Sequence, residues 1–373
     1  MRKYFLSGII AIFLALLISC AHRPIYNTSQ IQQDLVSEHW QSQVVTSPPN
    51  QSMQGMFSDS QSARVMRQLP SFTRVHIEGN YHVKIVGNQP YHRVSLSGRY
   101  ARLVVVEVVN GILCIHPIAN CDVTCLQEVT ICIELNTLNE LVTRGNIRLE
   151  GQYICSDHLS IRASGSGCVF LRGNFNLSDI TQVGSSDVTV LNAHSPRAVI
   201  YDYGNGNVDV SGDIAINHII HAGNGRVSVI GADSPALAID ASGAGLTSVA
   251  GCVNLKRISA INYSRVYVSG AKSLSTTVSA NDCAKVGIEG TVRSLNVCLA
   301  GSSQFLGKNY LSRNADASTK DAAHANVRVN NRVFASASDN SSIYLFGRSR
   351  VDVSRYTAER GVIIPLWSDE IVR

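Results

Sequence analysis

Charge is scarce. Charged side chains make up only 16% of the 373 residues, against about 25% in an ordinary soluble domain. Ser, Asn, Thr and Gly take their place, a composition suited to many short strands and turns. The hydrophobic share of 45% is large enough for a core and excludes a wholly disordered chain. Charge of one sign is scarce too: the formal net value is +5. Loss of Arg2 and Lys3 with the leader described below leaves 30 basic against 27 acidic side chains, a balance of +3. That gives no electrostatic case for nucleic acid. No apolar run reaches the roughly 20 residues that a membrane-spanning helix needs. Length alone allows two domains at about 150 residues each.

The longest apolar run, Tyr4 to Ile18, follows Arg2 and Lys3 and has the length of a signal-peptide core. It ends in Leu17-Ile18-Ser19-Cys20, which resembles the bacterial lipobox. The resemblance implies a lipoprotein signal peptide over residues 1–19, with acyl chains of the palmitate type on Cys20. Two or three such chains anchor a protein stably where one is marginal. Ala21 stands where lipoproteins retained at the inner membrane commonly carry Asp, which points to the outer membrane. Residues 20–66 are Gln- and Ser-rich, contain Pro48-Pro49 and keep no period of 2 or 3.6. They read as a flexible polar tether, with Val65, Met66 and Leu69 beginning the fold.

From about residue 150 the chain repeats every 19 or 20 residues, the mark of a solenoid or propeller. Copies close at Gly173, Asn192, Gly212, Gly231, Gly251, Gly270 and Gly290, and a last one closes at Gly347 after a less regular stretch that includes Gly307. Four and two residues before each closing position stand mostly β-branched residues, such as Val208 and Val210 or Val266 and Val268. Residues two apart share a strand face, so these are two inward columns. A third runs Ile161, Ile180, Ile200, Ile219, Ile239, Ile258 and Val278. Eight before the close stand Gly165, Gly184, Gly204, Gly223, Gly243, Asn262, Asp282 and Asp339, residues that tolerate positive φ, which predicts a left-handed corner with Gly204 and Gly223 in it. Two strands per copy, a corner and stacked columns predict an all-β fold, a parallel β-helix over residues 146–373 with a C-terminal cap. About ten turns between Gly151 and Gly347 make a rod of roughly 45–50 Å. Propeller blades need about 40 residues. The Gly-Asn-Gly runs at 204–206 and 223–225 lack the Gly-Lys-Ser/Thr end of a phosphate loop and the nine-residue period of a calcium roll.

Residues 67–145 do not follow that period and read as a smaller β head. Val75, Ile77, Val83, Ile85, Val94 and Leu96 alternate through short strands, and Asn110-Gly111 is a hairpin signal before Leu113 and Ile115. The order from Phe72 through Asn110-Gly111 to Ile115, the Ser164-Gly165-Ser166-Gly167 element and the run from Ala337 to Gly347 together resemble the bacterial head GIN domain family, labelled as auto-transporter adhesins. The likeness spans about residues 70–365. It implies a right-handed β-helix-like solenoid and brings no catalytic residues or cofactor.

Of ten cysteines, Cys20 is assigned to lipid. Cys114 with Cys132 and Cys121 with Cys125 share one residue-number sum, 246, as facing positions in an antiparallel hairpin do. That register opposes Leu113 to Ile133 and predicts two nested disulfides, with a zinc site or free thiols as alternatives. Cys155, Cys168, Cys252, Cys283 and Cys298 read as small buried hydrophobes. Ten before the close, a column of mostly Ala is broken on three consecutive copies by Gln182, Asp202 and His221. Stacking sets Asp202 beside His221, either as a buried polar ladder or as a binding or catalytic site. Arg226, Arg265 and Lys285 form an outward basic strip, a solvated face or a contact for an anionic glycan or lipid headgroup. The chain then reads as a non-enzymatic envelope lipoprotein of the outer membrane, presenting a β-helix as a binding or adhesion surface to a glycan or an envelope protein. Alternatives are a structural component of an envelope assembly or a carbohydrate-active β-helix enzyme, which would need paired carboxylates that the outward columns do not show.

Overall fold

The computed structural model describes residues 65–348 and 352–367. The leader, Cys20 and nearly all of the tether lie outside the described residues. In chain order the front holds β1 (Val65–Gln68), β2 (Arg74–Gly79), β3 (His82–Val86), β4 (Arg93–Ser97), β5 (Val104–Val109), β6 (Ile112–Pro117), β7 (Thr130–Glu134) and β8 (Glu140–Gly145). The repeats form β9 (Arg148–Gly165), β10 (Cys168–Gly184), β11 (Asp187–Asp202), β12 (Asn207–His221) and β13 (Arg226–Ala241). They continue as β14 (Leu246–Ala260), β15 (Arg265–Ala280), β16 (Lys285–Leu299), β17 (Gln304–Thr319) and β18 (His324–Ala337). β19 (Ser342–Gly347), β20 (Asp352–Thr357) and β21 (Val362–Trp367) follow.

Alternation decides the architecture. Val208 and Val210 are buried on either side of the partly exposed Asp209, and the same pattern recurs in strand after strand. A strand with one apolar face must bury it. Here the faces turn inward in a parallel β-solenoid of about 11 turns with roughly 20 residues each. One stack pairs Val169, Val188, Val208, Val227, Thr247, Val266 and Val286. A second pairs Ile161, Ile180, Ile200, Ile219, Ile239, Ile258 and Val278. The remaining expected column, Leu171, Val190, Val210, Val229, Val249, Val268 and Ile288, pairs in the same way, so all three are present. The less regular stretch contains two more coils, whose inward positions are Phe305 and Ala325. Phe305 escapes the pattern because its ring occupies the space that a Cβ on Gly307 would take.

The corner column behaves as expected at Gly243 (φ +86), Asn262 (φ 60) and Asp282 (φ 59). Gly204 and Gly223 do not adopt positive φ, which corrects the expectation for those two. Space constrains them instead. A Cβ on Gly223 would strike the Gly204 carbonyl oxygen, and one on Gly204 would strike the Gly184 carbonyl and the Gln182 amide. At Gly204 the N–H also donates to Asp202 Oδ1 at 3.1 Å, a side-chain turn that replaces the left-handed corner.

The front coils are not stacked in chain order. β2 lies between β6 and β8, and β3 between β7 and β9, all parallel. Thus the β2–β3 coil is inserted between the β6–β7 coil and the β8–β9 coil. Antiparallel β5 and β4 cover β6 and β7, and β1 pairs with β4. The Asn110-Gly111 turn joins β5 to β6 with φ 51 and 73, the two positive values that a tight hairpin of this type requires. β8 and β9, on either side of the expected 145/146 boundary, pair with each other.

This order overturns the cysteine hairpin. β6 and β7 do not pair with each other; a 3₁₀ turn over Val123–Glu128 carries the chain from one stack to the other. Cys114 sits opposite His76 and Glu107, and Cys132 opposite Lys84 and Ser95. Leu113 and Ile115 extend the column of Val75 and Ile77, while Ile131 and Ile133 extend that of Val83 and Ile85. Joining the solenoid buries both apolar faces against existing columns, which an isolated hairpin cannot do. The other cysteines are not buried either: Cys168, Cys252 and Cys283 are exposed and Cys155 and Cys298 half-buried. Cys168, for example, immediately precedes inward Val169 and so faces out.

Candidate functional site

Gln182, Asp202 and His221 occupy one inward column on successive coils, with Ala163 before them and Ala241 after. All three are sealed inside, at 0, 0 and 1% exposure. Gln182 Nε2 donates to the carbonyls of Ser186 (2.9 Å) and Gly184 (3.2 Å). His221 Nδ1 meets Thr247 Oγ1 at 2.9 Å. Asp202 Oδ2 and His221 Nε2 face each other at 3.3 Å. Burial pushes the Asp202 carboxyl up to about 7, opposed by the Gly204 N–H. Burial pushes the His221 imidazole down to about 4. Between those values the pair holds one proton, on Asp202, so no net charge is buried. Nδ1–H then donates to Thr247, and Nε2 is the acceptor that faces the carboxylic acid.

The glycine corners make room for this ladder. A Cβ on Gly206 would crowd the Gln182 amide at 2.8 Å, and one on Gly245 would strike His221 Cε1 and Nε2. Thr247 belongs to the same ladder and was not singled out from the sequence. Its signal was visible: a lone Thr in a column of Val, 26 residues after the His it holds. A carboxylic acid beside an imidazole has the elements of a general acid–base pair, but here both side chains are out of contact with solvent.

The outward residues divide differently from the expected strip. Arg226 is neutralised by Asp209, its Nη2 lying 3.0 and 2.8 Å from the two carboxylate oxygens. Leu246 separates it from Arg265 in the register, and Arg265 pairs directly with Lys285. An open depression of about 350 Å³ lies elsewhere, lined by Asn176, His194, Pro196, Asp213 and Asp233 among others. Its two carboxylates escaped the column reading because the register shifts there, between Ser211 and Ile214. Among the described residues no group of three or more His, Cys, Asp or Glu side chains could hold a metal. Of the four front cysteines, Cys121 and Cys125 come together. Both thiols donate to the Asp122 carbonyl, at 3.6 and 2.9 Å.

A family model described as "Putative auto-transporter adhesin, head GIN domain" matches residues 71–271 and 237–349. Similar solved structures include a "putative adhesin" from Bacteroides fragilis, 11% identical, covering 84% of this chain and 100% of that one with a TM-score of 0.24. A "putative lipid binding protein" from Parabacteroides distasonis is 13% identical, with 82% and 96% coverage and a TM-score of 0.25. A "putative adhesin" from Parabacteroides merdae is 9% identical, with 83% and 97% coverage and a TM-score of 0.25. Among curated proteins, none matches.

Proposed function

The chain belongs to the head GIN domain family described as "Putative auto-transporter adhesin", and from that premise we propose a non-enzymatic envelope lipoprotein that binds a partner through its solenoid wall. One observation carries the reading. The only expected acid–base pair is sealed in the core, whereas the wall exposes large side chains such as Ile230, Tyr263 and Leu274 at 61, 68 and 68%. Exposed aromatic and aliphatic side chains on a rigid surface favour recognition over chemistry. Attachment through Cys20 to the outer membrane, with residues 20–66 as the tether, completes the proposal. No helix among the described residues is long and apolar enough to cross a membrane.

Fractionation and protease shaving of intact cells test it together. The expected result is a membrane-bound, protease-accessible protein that Cys20→Ser releases or leaves unprocessed. Normal processing and unchanged fractionation of that variant would remove the anchor, and full protection from protease would remove the surface role. The depression lined by Asp213 and Asp233 favours a second reading, a carbohydrate-active wall with paired carboxylates. Hydrolysis of a glycan that Asp213→Asn and Asp233→Asn abolish would select that reading instead.

A further inference from the structure

Tyr267 faces out from β15, 40% exposed. The next coil places Gly287 opposite it, and the coil after that places Leu306. A Cβ added to Gly287 would lie 2.7 and 3.0 Å from Tyr267 Cδ1 and Cε1, and 3.9 Å from Leu306 Cβ. The ring is therefore laid along the solenoid axis over a position that has no side chain, and Leu306, 39% exposed, continues the strip. Gly287 keeps the floor flat. Any larger residue there would lift the ring off the sheet.

Two cations run beside this strip. Arg265 and Lys285 are register partners two residues before Tyr267 and Gly287 respectively, and both are exposed. Among the described residues neither side chain has a carboxylate or hydrogen-bond partner, unlike Arg226 with Asp209. Strand spacing sets their backbones about 4.8 Å apart along the axis. Gln304 and exposed His324 extend the same column. On the other side Glu289 accepts a hydrogen bond from Asn309 Nδ2 at 3.1 Å.

We propose that this wall, Tyr267 and Leu306 flanked by Arg265 and Lys285, binds a uronate-bearing polysaccharide laid along the solenoid axis. The chemistry of each part fits. A flat aromatic face packs against the C–H face of a pyranose ring, and its partial negative charge favours those polarised hydrogens. A guanidinium fork and an ammonium each accept a carboxylate. Cations spaced one coil apart along a straight line match charges that recur along a polymer, and the aromatic strip beside them favours a sugar chain over a lone phosphate. Glu289 and Asn309 present an acceptor and an amide to hydroxyls at the opposite edge. The inference rests on the reading of the wall as a binding surface and adds to it the place and the class of ligand.

Titration of the full chain with polygalacturonate, alginate and a neutral galactan tests the site. The expected result is saturable binding to at least one uronate polymer, weakened by salt as charge pairing requires, with the neutral galactan at least tenfold weaker. Tyr267→Ala and the pair Arg265→Gln with Lys285→Gln should each lower affinity at least tenfold. Arg226→Gln should leave it unchanged. All are surface substitutions, and unchanged thermal unfolding shows that each variant is folded. No binding to either uronate polymer, or equal loss in Arg226→Gln, overturns the site. Adhesion of cells carrying these variants separates the two levels. Retained adhesion with lost uronate binding leaves the site standing and refutes its place in the broader role. Adhesion in the absence of any uronate binding refutes the site alone.

Discussion

Inside the solenoid, Asp202 Oδ2 and His221 Nε2 lie 3.3 Å apart on adjacent coils, and neither atom makes a hydrogen bond elsewhere. The two side chains are displaced in opposite directions by the same cause. Burial raises the carboxyl to about 7 and lowers the imidazole to about 4. Folded and unfolded chains then hold the same single proton on this pair from about pH 4 to 6.5, and it moves from histidine to aspartate on folding.

Stability should therefore be nearly independent of this pair between about pH 4 and 6.5, fall only slightly as pH rises from about 6.5 through 7, and level off above that, where neither state holds the proton. Single substitutions expose the two halves. In Asp202→Asn only the lowered imidazole remains, so stability should be lost as pH falls from about 6.5 towards 4. In His221→Gln only the raised carboxyl remains, so stability should be lost as pH rises from about 4 to 7. Each window should span a few kcal/mol, at about 1.4 kcal/mol per pKa unit. Urea unfolding across pH measures both slopes, and parallel profiles in the two variants would contradict the proton assignment.

Gly245→Ala should destabilise by about 1–3 kcal/mol, the usual cost of overpacking, because its Cβ would meet the His221 ring. His221→Ala in the same chain should recover part of that loss. Gly243→Ala should not be rescued in this way, because its cost comes from φ +86 and from the Gly223 carbonyl that its Cβ would meet, not from the His221 ring. A double-mutant cycle by chemical denaturation distinguishes the two mechanisms.

Tyr310 is fully buried, and its hydroxyl lies 2.7 Å from Thr276 Oγ1, which itself donates to the Leu255 carbonyl. The tyrosine must therefore be the donor. Tyr310→Phe should cost about 1 kcal/mol, the net value of one buried hydrogen bond. A neutral result in thermal unfolding would show that the hydroxyl is dispensable.

After export to an oxidising compartment, Cys121 and Cys125 should form a disulfide, since their thiols already converge on the Asp122 carbonyl. Cys114 and Cys132 should not bridge, since their strands lie in different stacks. The short loop makes the bridge a small contributor to stability. Non-reducing peptide mapping decides it, and a Cys114–Cys132 peptide would restore the hairpin that the topology excludes.

The inward columns and the Asp202–His221 stacking were legible because a solenoid turns sequence period directly into spatial neighbours. Where a column was filled by unlike residues, as at Phe305 and Ala325, the same period was hidden by a large side chain packed over a glycine. The cysteine register failed for a different reason. Numerical symmetry between Cys114 and Cys132 speaks only of local pairing, and the strands there choose partners dozens of residues away. Glycine identity also misled at Gly204 and Gly223. The residue type records that a Cβ is intolerable, but not whether dihedral angle or a neighbouring carbonyl forbids it. Asp213 and Asp233, which line one depression, sit where bulges break the count, so no column could reveal them.

The insertion of the β2–β3 coil between two later coils has a kinetic consequence. A chain synthesised from its N-terminus cannot wind itself up coil by coil from residue 74, because both flanks of that coil are supplied by strands that emerge only after residue 111. The repeats beyond β9 pair with their immediate predecessors and can propagate locally, whereas the front depends on long loop closures. Nucleation therefore belongs to the repeats, and the earliest-made strands are among the last to find their places.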